Sequence, residues 1–166
     1  MEQNLKEKLP DKKEQLLQGK KRALRLLERK DYTRKELLDK LRKDGYSEEL
    51  VNKIIEYIDS YHYLDDTRVA GNYIRGRMEH KSKKEIEYML KQKGISEEEI
   101  DLAMSENYKN EDGIPQEEIA IRRFLQKLHI DDEAIFELSY EEKQKIAAKL
   151  YRKGFALEKI RKSLQM

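Results

Sequence analysis

Three segments of this 166-residue chain superpose without a gap: 36–55 (ELLDKLRKDGYSEELVNKII), 85–104 (EIEYMLKQKGISEEEIDLAM) and 145–164 (KIAAKLYRKGFALEKIRKSL). Apolar residues coincide at Leu37/Ile86/Ile146, Leu41/Leu90/Leu150, Tyr46/Ile95/Phe155, Val51/Ile100/Ile160 and Ile55/Met104/Leu164, and Gly45, Gly94 and Gly154 fall together. Self-similarity of this kind marks a repeat architecture. The apolar positions before each Gly are four apart, which places them on one helix face. The Gly suits the left-handed residue that closes a helix, and the apolar residue after it suits the contact that accompanies such a cap. Each copy therefore predicts a helix, a glycine stop and a second helix.

Helix starts are marked as well. TRKE (33–36), SKKE (82–85), SEEE (96–99) and SYEE (139–142) have the Ser/Thr-x-x-Glu form of a capping box. A further helix precedes each pair, with core faces at Ala23/Leu26/Leu27, Val69/Ala70/Tyr73/Ile74 and Ala120/Phe124/Leu125. Only 37% of residues are apolar and 42% are charged, thin core material for one large globule. No period-2 strand pattern occurs. The expected fold is all-α: three tandem three-helix repeats forming an elongated, curved molecule whose neighbours bury faces against one another. The expected boundaries are a charged, disordered N-terminal extension over 1–19, repeat 1 over 20–65, repeat 2 over 66–109, and a linker plus repeat 3 over 110–165. NEDGIP (110–115) is the clearest linker, and LHIDDEAIFEL (128–138) reads as an insertion.

The formal net charge of +2 conceals segregation. Residues 21–44, 67–94 and 140–166 each carry a net +5, whereas 45–66 carries −5 and 95–118 carries −8. Such blocks are solvated helix faces or, if the basic ones share a side, a surface that attracts a polyanion or an acidic protein.

Catalysis needs a constellation, and little here supplies one. There is no Cys, which removes thiol chemistry and Cys-ligated zinc and agrees with a reducing cytoplasm. His62, His80 and His129 are far apart in the chain and form no HExxH-like pair. The seven glycines are scattered singly, without a phosphate loop. Asp65-Asp66 and Asp131-Asp132 offer a foothold for a divalent cation, but acids at helix starts more simply accept backbone N–H groups. The start of the chain has no apolar secretory segment, and no apolar run is long enough to span a bilayer. No catalytic residue, cofactor, metal, membrane or small-molecule substrate is expected.

Helix, glycine turn and helix resemble a helix-turn-helix in outline. The helices that would enter a major groove, SEELVNKIIEYI and SEEEIDLAMSEN, are acidic where they would meet phosphate. Nucleic-acid contact through basic helix faces remains the alternative reading, with single- or double-stranded DNA as partner.

The residues also resemble a known family. ALRLLERKDYTRKELLDKLRKDGYSEELVNKII (23–55) is similar to the opening unit of the RecX family, YLDDTRVA (63–70) to its Leu-Asp-Asp motif, and LYRKGFALEKI (150–160) to its closing Arg/Lys-Gly-Phe segment. The likeness covers roughly 20–165 in order. Where that family usually has Gly, Ser82 stands with its capping box. The resemblance implies a monomeric, cytoplasmic, non-enzymatic regulator in homologous recombination, DNA repair and the SOS response. It would lodge in the groove of the RecA–single-stranded DNA filament and inhibit strand exchange and ATP turnover. The candidate partner-binding residues are Arg25, Arg29, Arg34, Arg42, Arg75, Arg77, Lys84 and Arg152. Leu64, Asp65 and Asp66 are the expected structural joint, Leu64 packing into the first unit while the two acids start the next helix.

Overall fold

A computed structural model describes residues 10–166, which are built from ten helices with no strand among them. The helices are α1 (Lys12–Arg29), α2 (Arg34–Lys43), α3 (Glu48–Ser60), α4 (Asp66–Arg77), α5 (Lys83–Gln92), α6 (Glu97–Asn107), α7 (Gln116–Lys127), α8 (Asp132–Glu137), α9 (Tyr140–Arg152) and α10 (Leu157–Leu164). The chain divides into two compact units, one ending at Asp66 and one from Thr67 onward.

In the first unit α1, α2 and α3 enclose one core. Ala23, Leu37, Leu41, Val51, Ile54 and Ile58 are fully excluded from solvent, and Leu16, Leu27, Tyr46 and Leu64 pack on their edge. The second unit holds two cores. One, from α4–α6, centres on Ala70, Ile74, Ile86, Leu90, Ile100 and Ala103; the other, from α7–α10, centres on Ala120, Ile121, Ile135, Leu150, Ile160 and Leu164. The superposed apolar positions thus lie inside, except that Ile146 and Tyr46 are half-buried at the rim.

All three glycine stops take the left-handed conformation, with φ of +96° at Gly45, +83° at Gly94 and +92° at Gly154. The backbone closes the same way each time. The amide of the next residue donates to a carbonyl five residues back: Tyr46 to Leu41 at 3.3 Å, Ile95 to Leu90 at 3.2 Å and Phe155 to Leu150 at 3.2 Å. This is the double-bonded Schellman ending, and it turns Tyr46, Ile95 and Phe155 back onto the core their own helix lines. His62 and His129, with φ of +56° and +58°, end α3 and α7 in the same manner, so two of the three histidines serve as helix stops.

The sequence expectation fails at the N-terminus and at one cap. The charged extension expected to be disordered over 1–19 is helical from Lys12, and residues 1–9 lie outside the described residues. Asp11 caps this helix by accepting from the Glu14 amide at 2.8 Å. Gly19, a residue that alone would weaken a helix, is buried; a Cβ there would come within 2.2 Å of Ile54 Cδ1, so its bare backbone lets α3 approach. At the other site, Thr33, Ser96 and Ser139 head complete capping boxes, but Ser82 makes only half of one. Its hydroxyl accepts from the Glu85 amide at 3.1 Å and donates to the Lys153 carbonyl at 2.7 Å, while the Glu85 carboxylate pairs with Lys81.

The insertion over 128–138 contains a helix of its own. Asp131 caps α8 through the Ala134 amide at 2.8 Å, and Ile135 enters the third core. The linker is folded on itself, with Asn110 bonding to both groups of Ile114 and to Gln116.

Gly154 joins both constraints, left-handed backbone and close approach: a Cβ there would lie 2.8 Å from Ser82 Oγ, whereas one at Gly45 would meet nothing within 4 Å. Gly45→Ala should cost the backbone term alone, about 1 kcal/mol. Gly154→Ala should cost more, and the excess should shrink in a Ser82→Ala background, read from urea unfolding of the four proteins.

Candidate functional site

The basic candidates fall into two kinds. Some are already engaged. Arg34 pairs with Asp59. Arg42 grips Glu48 through two nitrogens at 2.6 and 3.1 Å and reaches Asp39 at 3.4 Å. Arg75 bonds to Asn107 and, at 2.5 Å, to Asn72. The Arg77 guanidinium lies 3.9 Å from the centre of the Tyr73 ring. These groups are exposed, where such pairs hold weakly and exchange readily with a partner.

The others carry no ion pair or hydrogen bond among the described residues. In the first unit Arg25 and Arg29 sit four apart on the solvent face of α1. In the second unit Lys84 and Arg152 line one groove. Neither Arg75 nor Arg77 lines that groove.

Of the expected joint, Leu64 packs on the first core. Asp66, the first residue of α4, accepts from the backbone amide of Arg34 at 2.9 Å. Arg34 opens α2, so this carboxylate satisfies one of the orphan donors at a helix start and opposes its dipole. The same device recurs inside the second unit, at a residue that carries no sequence motif. Glu117, near the start of α7, accepts from the Lys83 amide at 3.1 Å and from the Ala156 amide at 3.3 Å. Lys83 is the superposition partner of Arg34, and it opens α5 as Arg34 opens α2. One carboxylate therefore clasps the starts of both α5 and α10. Beside it, buried Gln116 donates to the Met78 carbonyl at 3.0 Å. The signal was present in the chain: an acid 32 residues after Arg34 and another 34 after Lys83, each within the first two residues of the helix that begins the next triplet.

A further carboxylate is held nearby. Glu118 accepts from Lys162 at 2.9 Å and from Lys159 at 3.5 Å. The Lys162 hydrogen bond holds its carboxyl below the ordinary 4.5, against the opposing effect of burial. Among the described residues no three His, Asp or Glu side chains gather as a metal ion requires, and no helix is long and apolar enough to cross a membrane.

Removing the clasp with Glu117→Ala strands two amide donors and should lower the stability of the second unit by about 1–3 kcal/mol in chemical denaturation. Glu118 supplies a pH signature. Its folded pKa is depressed, so its contribution is complete above pH 4.5 and disappears as pH falls through the lower folded value. Glu118→Gln should be less stable than the parent at neutral pH, and the two unfolding curves should converge in acid.

Residues 20–57 match the family profile of the RecX first three-helix domain, and residues 65–104 that of the second. The chain is 31% identical over 150 residues to the Regulatory protein RecX of Caldanaerobacter subterraneus subsp. tengcongensis, which covers 90% of this chain and 70% of that protein. It is 34% identical over 110 residues to the Regulatory protein RecX of Clostridium acetobutylicum, 65% of this chain and 51% of that relative. The crystal structure of RecX from Lactobacillus salivarius superposes with a TM-score of 0.70 at 25% identity, over 90% of this chain and 94% of that one. With both three-helix domain profiles matched and 31% identity along nine-tenths of its length, this chain belongs to the RecX family.

Proposed function

We propose that this protein is a non-enzymatic regulator that binds the RecA–single-stranded DNA filament and inhibits the recombinase, in strand exchange and in ATP turnover. Membership in a family whose relatives are called regulatory proteins supports the reading. The observation that carries it furthest is that Arg25 and Arg29 in one unit, and Lys84 and Arg152 in the other, are exposed with no ion pair or hydrogen bond among the described residues. Each is a weak contact taken alone. A filament repeats its acidic surface and its phosphates along its length, so several weak contacts made by one chain add through effective concentration. Helices held by glycine stops and carboxylate clasps keep those cations in fixed places, which limits the entropy lost on binding. On this reading the protein acts as a monomer in the cytoplasm, and Leu64, Asp65 and Asp66 are a structural joint with no chemical role.

The ATPase of RecA from the same organism, on single-stranded DNA, tests the proposal. Stoichiometric protein should suppress turnover; turnover unchanged at that ratio would end the idea. Reversing Arg25, Arg29, Lys84 and Arg152 to Glu together should weaken suppression at least tenfold (about 1.4 kcal/mol or more) with helicity intact. Reversing Arg34, Arg42, Arg75 and Arg77 also removes internal contacts, so unfolding must be measured beside it.

A further inference from the structure

The groove that gathers Lys84 and Arg152 has a second property. It has a volume of about 460 Å³, between the first turns of α5 and the end of α9, and two tyrosines border it. Tyr88 and Tyr151 are 59% and 63% exposed, so both rings are open to a ligand. The floor is fixed. Ser82 bonds across it to the Lys153 carbonyl at 2.7 Å, and Gly154 lies so close that a Cβ would come within 3.4 Å of Lys84 Cβ. The one acid on the wall, Glu85, is engaged with Lys81 at 3.1 Å, and Lys153 turns its ammonium toward the Phe124 ring. What faces solvent is two open rings and two cations without internal partners.

We infer that this groove is a stacking subsite for single-stranded nucleic acid, in which Tyr88 and Tyr151 take nucleobases on their faces and Lys84 and Arg152 take the adjoining phosphates. Exposed aromatic rings alternating with cations are what an unpaired strand requires, because every base presents a π-face and every linkage a negative charge. A duplex keeps its base faces inside the stack and offers the rings nothing. A bare polyanion uses the cations and leaves the rings idle. The inference deepens the alternative of direct nucleic-acid contact by naming its site and its strandedness. It does not need the recombinase, so filament inhibition and this groove stand or fall separately.

Fluorescence anisotropy of a short labelled oligo-dT with the 166-residue protein at low salt tests it, with an abasic strand of equal length as comparison. Tyr88→Ser with Tyr151→Ser should weaken binding at least about tenfold, since each stacked base contributes roughly a factor of five or more. Tyr88→Phe with Tyr151→Phe should bind as the parent does, and the abasic strand should bind the parent as weakly as oligo-dT binds the serine pair. Lys84→Gln with Arg152→Gln should flatten the slope of log affinity against log salt by about 1.4. Helical melting checks that the serine pair is folded; if it is not, the abasic comparison on the parent protein decides. No binding of oligo-dT by the parent, equal binding of the abasic strand, or full affinity in a folded serine pair would each overturn the inference.

Discussion

Each of the three repeated helix pairs depends on a backbone that enters the left-handed region for one residue. A chain with 37% apolar residues has few side chains to spare for its cores, and each must arrive at the right place. The left-handed residue at Gly45, Gly94 and Gly154 reverses the chain and delivers Tyr46, Ile95 and Phe155 onto the helix just completed. Glycine meets this requirement without steric cost. The two histidines that do the same at His62 and His129 accept a penalty that L-residues incur in that region, and the cores they close, around Ile58 and Leu125, hold them there.

Helix starts are the second constraint. The ten helices among the described residues leave many amide donors at their starts without a helical partner, and side chains supply acceptors for some of them. Ser and Thr caps serve locally. Asp66 and Glu117 serve at a distance, each reaching the first amide of a helix more than thirty residues earlier. Charge makes these bonds stronger than neutral ones and places the acid where the helix dipole favours it. Asp66, one of the acid pair that offers a cation foothold in the sequence, is thus engaged as the acceptor at a helix start.

Much of this was legible beforehand because it is periodic. The apolar triples, the glycine stops and three of the four capping boxes repeat, and repetition turns a weak local pattern into a strong one. What was not legible is single and distant. Gly19 looks like the end of an extension until Ile54 is seen against it. Ser82 reads as a full capping box, yet its hydroxyl is shared with Lys153, seventy-one residues away. Glu117 carries no motif, and only its partners, Lys83 and Ala156, give it a role. Among the basic residues, sequence could nominate the Arg and Lys positions but not sort them. Arg42 and Arg75 hold neighbours, while Arg25 and Lys84 face solvent with no pair among the described residues, a distinction that depends on which acids and amides the fold brings within reach.

On the proposed reading the protein acts by occupying a RecA filament. Sedimentation of RecA filaments with and without single-stranded DNA measures that occupancy directly. The protein should pellet with DNA-bound filaments, saturating at a fixed ratio to RecA and releasing as salt rises. Protein that stays in the supernatant while the filaments pellet would contradict the central claim.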